Sequence, residues 1–162
     1  MDTSSAKDIV DSVEKQLMKG KGRWVADFKE SFREYRTHGL TFDVLVRGDT
    51  KVRGFLLSRV FSYMLNPNYQ VACFVLSLDS GERLNEKSLA RYLTAIKSFM
   101  KEEKIDWSWF LMVGRRFGGG VKKAVAGLSD RALGVALVDP ESREMVNSGS
   151  YLGRQPRRYV HV

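Results

Sequence analysis

Residues 70–78, read as QVACFVLSL, form an almost unbroken apolar run near the middle of the chain. A strand with one wet face would alternate apolar and polar side chains. A run without alternation has to be covered on both faces, so it demands a sheet with a layer on each side. Turn signals bound it, Asn66-Pro67-Asn68 before and Asp79-Ser80-Gly81 after, which favours a strand over a helix.

The neighbouring segments supply those layers. Residues 85–103 carry Leu89, Tyr92, Leu93, Ile96, Phe99 and Met100 on one wide helical face. Residues 107–113 (WSWFLMV) and 133–138 predict two further apolar strands, the latter stopped by Asp139-Pro140. Gly118-Gly119-Gly120 opens a short helix reaching about residue 128. Upstream, a helix is predicted over 6–18, with Ser5 and Asp8 spaced as a capping box. A second helix is predicted over 23–37, where Val25, Phe28, Phe32 and Tyr35 step at helical spacing and Gly39 supplies the stop. Residues 41–47 and 52–65 predict two strands, with Gly48-Asp49 as the turn between them. The expectation is an α/β (α+β) fold: one mixed central sheet of about five strands with about four helices, over residues 1–140. Residues 141–162 show no core pattern and predict a basic C-terminal tail.

Lys and Arg number 27 against 19 Asp and Glu, a net charge of +8. That excess points to a polyanionic partner, bound with release of counterions. One cysteine and two histidines exclude a disulfide scaffold, a zinc finger and a cysteine cluster. Cys73 is expected to be a small core residue, and His38 to end a helix. No apolar run reaches membrane-spanning length and the N-terminus lacks signal-peptide character, so an intracellular, cytoplasmic protein with no membrane partner is expected. Scarce amides and cysteine are a pattern shared with heat-stable proteins.

The segments CFVLSLDSGE, NEKSLARYLTAIKSFM, WSWFLMVG, GGGVKKAVAGL and LGVALVDPES follow one another in an order that resembles the restriction-endonuclease-like, PD-(D/E)XK nuclease fold superfamily. The resemblance covers roughly residues 24–139. In that family an acidic residue on one strand and a (D/E)xK tripeptide on the next hold Mg²⁺ and position the attacking water. Where the tripeptide belongs, this chain reads Val75-Leu76-Ser77-Leu78-Asp79, with no lysine. The literal Asp49-Thr50-Lys51 falls at a predicted turn, where Asp is ordinary turn chemistry.

Four stretches are candidates for binding. On the strand predicted over 52–65, alternation sets Phe55, Leu57, Arg59, Phe61 and Tyr63 on one face. Rings and a guanidinium together suit single-stranded nucleic acid, whose bases stack while phosphate meets the cation. The competing expectation is a core strand in which Arg59 pairs with Asp43 or Asp79. Arg47, Lys51 and Arg53 add charge at one end of the same hairpin. In the second stretch, Arg115, Arg116, Lys122 and Lys123 flank the three glycines with no acid between them, a composition suited to phosphate contact at a helix N-terminus. It matches neither nucleotide-binding glycine motif, so no cofactor is expected. In the third, Arg154, Arg157 and Arg158 interleave with Tyr151 and Tyr159 in the tail. The fourth, Lys15 to Arg36, reads mainly as a solvated face, with Trp24 as core.

These residues predict a non-catalytic nucleic-acid-binding protein with no cofactor and no metal. DNA is favoured over RNA by the resemblance, and single strands by the aromatic strand. One alternative is a Mg-dependent nuclease using Asp43, Asp79 and Glu82, with Lys87 as the missing lysine. The other is a structural subunit, as a homodimer or paired with an active nuclease.

Overall fold

β3 (Gln70–Ser77) lies inside a six-stranded sheet, buried from Val71 to Leu76, as its unbroken apolar run requires. The structure is a computed structural model that describes residues 5–19, 26–50, 69–78, 83–158 and 160. In chain order it consists of α1 (Ala6–Met18), β1 (Asp27–Thr37), β2 (Leu40–Asp49), β3, α2 (Glu86–Glu102), β4 (Trp107–Val113), α3 (Gly119–Ala126), β5 (Leu133–Asp139), β6 (Glu144–Asn147), α4 (Tyr151–Arg154) and a 3₁₀ turn, Gln155–Arg158.

The strands lie side by side in chain order. β1, β2 and β3 form an antiparallel meander, β3, β4 and β5 are parallel, and β6 returns antiparallel beside β5. The two parallel connections run through α2 and α3. Both helices bury their apolar residues on one face, with Phe74, Phe110, Met112, Val135 and Leu137 beneath them. Two successive crossovers on one face advance the sheet in one direction. The described strands therefore have no reversal of order, and no switch-point crevice of the kind that holds dinucleotides.

The opposite face is covered by α1, through Ile9, Val10, Val13 and Leu17, which pack on Val44, Val46, Val71, Cys73 and Val75. The capping box starts α1 as expected: Ser5 Oγ accepts the Asp8 N–H at 3.2 Å, and the Asp8 carboxylate accepts the Ser5 N–H at 2.9 Å. α2 has its own pair, in which Asn85 and Ser88 exchange the same two bonds.

Three expectations are corrected. Residues 27–37 are not helical but form the edge strand β1, paired with β2 from Asp27↔Asp49 to Thr37↔Leu40. The helical spacing of its aromatics misleads, because Phe28 packs on the α1 side while Tyr35 meets Phe99 on the α2 side. A bulge near Phe28 and Glu30, together with a positive φ at Glu34, breaks the period of two. Gly39 is not a helix stop. With His38 it supplies two successive positive φ values, 73° and 49°, as a type I′ hairpin turn requires. Nor do Gly48 and Asp49 turn the chain; they pair with Val71 and Gln70 as the last rungs of β2.

A further correction concerns the expected tail. β6 adds a sixth strand, and α4 brings Leu152 into the core on the α1 side, where Val160 also lies. The Trp109 indole N–H donates to the Leu152 carbonyl at 3.0 Å inside that core. The strand predicted over 52–65, with Lys51, Arg53, Arg59, Phe61 and Tyr63, lies outside the described residues.

Candidate nucleic-acid interface

The parallel strands end together at Ser77, Val113 and Asp139, since Ser77 pairs with Val113, and Val113 with Val138. The chain leaves β4 there as Gly114-Arg115-Arg116-Phe117-Gly118 and enters α3. Arg115 and Arg116 are exposed, and so are Gly118 to Gly120. Arg116 sits at a φ of 55°, a strained region for a side-chain-bearing residue. Its N–H donates at 3.0 Å to Oδ2 of Asp139, which is buried at the end of β5. Oδ1 of Asp139 accepts the N–H groups of Glu141 and Ser142 at 2.9 and 3.2 Å. Burial pushes the Asp139 carboxyl up, but these N–H bonds outweigh it and hold the group below the usual carboxylate range. The loop is thus fixed by its backbone, which leaves both guanidinium groups at the surface.

The sequence showed no acid in this stretch, but the fold brings two more carboxylates to it. Glu86, in the first turn of α2, lies where a side chain on Gly120 would stand. An acid already covers the N-terminal turn of α3, which weakens the expected anion site there. Lys122 Nζ meets Glu144 of β6 at 2.6 Å. Among the described residues, Arg115, Arg116 and Lys123 make no ion pair. No local spacing links Glu86 or Glu144 to the glycines. The only local sign was Asp139, visible as a strand stop and not as an anchor.

The remaining described candidates lie elsewhere. Arg47 stands toward the other end of the sheet, with Nη1 3.4 Å from Glu103 and its guanidinium over the Phe99 ring. Thr50 and Tyr69, which flank the segment 51–68, are hydrogen-bonded at that same end. Across the seven residues of β4 the two ends are separated by about 20 Å. Arg157 braces β6, its Nε donating to Asn147 Oδ1 at 2.7 Å and its Nη2 to the Met145 carbonyl at 3.4 Å. Arg154 is exposed beside it, and the Arg158 side chain lies outside the described residues. The fold therefore sets Arg115 and Arg116 beside the end of β5, ties Lys122 to β6 through Glu144, holds Arg157 separately at Asn147 and Met145, and leaves Arg47 apart.

Of the residues weighed for catalysis, Asp49 is held by Lys29 at 2.6 Å and is buried. Asp43 Oδ2 accepts the Ser77 N–H at 2.6 Å, closing the end of β3. Asp79 and Glu82 lie outside the described residues. Cys73 is fully buried, and burial pushes its thiol up to about 12, so it stays protonated and unreactive. His38 sits at the hairpin turn, not at a helix end, with Nε2 3.1 Å from Glu102. No helix among the described residues is long and apolar enough to cross a membrane. No protein-family model, curated protein or solved structure matches the chain.

Proposed function

We propose that this chain is a non-catalytic nucleic-acid-binding protein that holds single-stranded DNA by its phosphates. The observation that carries this reading is the cationic edge where the parallel strands end. Arg115 and Arg116 stand exposed there on an anchored loop, and Lys123 is exposed on α3, which follows it, none with an ion pair to any described residue. In a chain of net charge +8, exposed cations without a described ion partner suit a polyanion. Base stacking in this reading falls to Phe61 and Tyr63, with Arg59 on the same predicted face. The preference for DNA and for the absence of cleavage comes from the resemblance to the nuclease fold and from the lysine missing between Val75 and Asp79.

The test is a salt titration of labelled oligothymidylate, a DNA duplex and an RNA of equal length. Affinity should fall steeply with salt, each phosphate contact adding about 0.7 to the log–log slope on single strands and about 0.9 on duplex. Arg115→Ala with Arg116→Ala should lower the single-strand slope by about 1.4. Binding that is absent at low salt, or flat across the titration, refutes the proposal.

A structural subunit is the second reading, favoured by β1. It is an eleven-residue strand at the edge of the sheet among the described residues, and Phe32 on it is 40% exposed. A dimer by light scattering that Phe32→Lys dissolves would support it.

A further inference from the structure

The tip of the β1–β2 hairpin lies over α2, with His38 against Glu102, and leaves a groove of about 380 Å³ between them. His38 and Leu40 form one wall, and the outer face of α2 forms the other with Lys87, Arg91, Thr94 and Ser98. We propose that this groove carries the phosphodiester backbone of single-stranded nucleic acid onward from the cationic edge at Arg115 and Arg116. The inference rests on the nucleic-acid-binding reading and extends it to residues outside the sequence candidates for contact.

Charge is the first argument. No carboxylate lines the groove, and Lys87 and Arg91 are exposed without an ion pair to any described residue. Lys97, on another side of the same helix, is by contrast neutralised by Asp130 at 2.9 Å. Spacing is the second. Lys87 and Arg91 are one turn apart, about 6 Å along the axis, and Ser98 lies about 10 Å further on. Thr94 is bonded to its own helix, its hydroxyl donating to the Ala90 carbonyl at 2.9 Å, so Lys87, Arg91 and Ser98 are the groove's donors on α2.

Shape is the third argument. The volume is at the lower end of small-ligand sites, room for a short stretch of one strand. Leu40, Ala90 and Ala95 give the groove apolar surface, and no Phe, Tyr or Trp ring lines it, the His38 imidazole being held by Glu102. Without a large aromatic platform it tracks the backbone more than it stacks bases, so binding here should ignore sequence. Proximity is the fourth. Lys87 follows Glu86, which lies against Gly120, so the groove opens close to the Arg115 loop, and a strand passing between them must skirt the Glu86 carboxylate.

The experiment measures binding of a labelled oligothymidylate and of a duplex of equal length across a salt series. It compares the natural chain, Lys87→Ala with Arg91→Ala, Ala90→Trp, and Arg115→Ala with Arg116→Ala. The Lys87 and Arg91 pair should weaken single-strand binding about tenfold and lower its slope by about 1.4, with a smaller effect on duplex. Ala90→Trp should weaken single strands by obstructing the groove while keeping the slope. Thermal melting confirms that each variant is folded. If the Arg115 and Arg116 pair weakens binding but both groove variants leave affinity and slope unchanged, the groove is refuted and the broader reading stands. If the natural chain binds neither probe at low salt, both fall.

Discussion

The buried carboxylate of Asp139 accepts the backbone N–H of Arg116 at 3.0 Å, so the end of β5 holds the loop that leaves β4. Asp139→Asn replaces one acceptor oxygen with an amide donor. Either the Arg116 N–H or the Glu141 and Ser142 N–H groups then lose their partner. The variant should lose about 1–3 kcal/mol in urea denaturation at neutral pH. It should also weaken oligonucleotide binding, because Arg116 leaves its left-handed conformation.

The same carboxylate sets an acid limit. Its pKa in the folded chain lies below the ordinary value of about 3.9, so its contribution to stability is fully present above that value. That contribution is lost as pH falls through the folded pKa. Denaturation midpoints between pH 5 and pH 2 should therefore drop more steeply for the natural chain than for Asp139→Asn. Parallel curves would show that Asp139 carries no such linkage.

Glu144 neutralises Lys122 in the first turns of α3. Glu144→Gln should release Lys122, tighten oligonucleotide binding and steepen the salt slope by up to about 0.9. Stability should change by less than about 1 kcal/mol, since the pair is partly exposed. Unchanged affinity would show that Lys122 is not near bound phosphate.

Truncation after Ser148 separates a tail from a folded element. It removes Leu152 and Val160 from the core and leaves the Trp109 indole N–H without its acceptor. Loss of Leu152 alone should cost about 2–5 kcal/mol, with tryptophan emission shifting to longer wavelength. A melting curve unchanged by truncation would restore the tail.

Asp43 closes the end of β3 through the Ser77 N–H. Asp43→Ala should therefore lower stability by about 1–3 kcal/mol by stranding that N–H. Neither protein should cut DNA with Mg²⁺ or Mn²⁺. Cleavage by the natural chain that Asp43→Ala abolishes would make the protein a nuclease.

Much of the fold was legible because its strongest signals are local. The apolar run of β3, the wide face of α2 and the capping box of α1 each depend on neighbours within a few turns or rungs. β1 was not legible, because Phe28 and Tyr35 imitate helical spacing while they face opposite sides of the sheet. Only pairing with β2 through the His38–Gly39 turn reveals the strand. β6 and α4 were missed for a similar reason. They are short, and the one large apolar residue α4 buries, Leu152, shows no period.

The site divides the same way. Side-chain chemistry was readable in the chain: cations at Arg115, Arg116, Lys122 and Lys123, an excess of positive charge, and no nuclease lysine between Val75 and Asp79. Which of those cations is neutralised depended on Glu144 of β6, and how the loop is held depended on Asp139 of β5 and Glu86 of α2. Electrostatic pairing acts through space over a few ångströms, and no spacing along the chain measures that distance. The groove beside Lys87 and Arg91 exists only because the hairpin tip folds over α2. Local sequence sets which backbone conformations and side-chain chemistries are present. Packing of the sheet against its helices decides which charges meet, which are neutralised and which remain open to a partner.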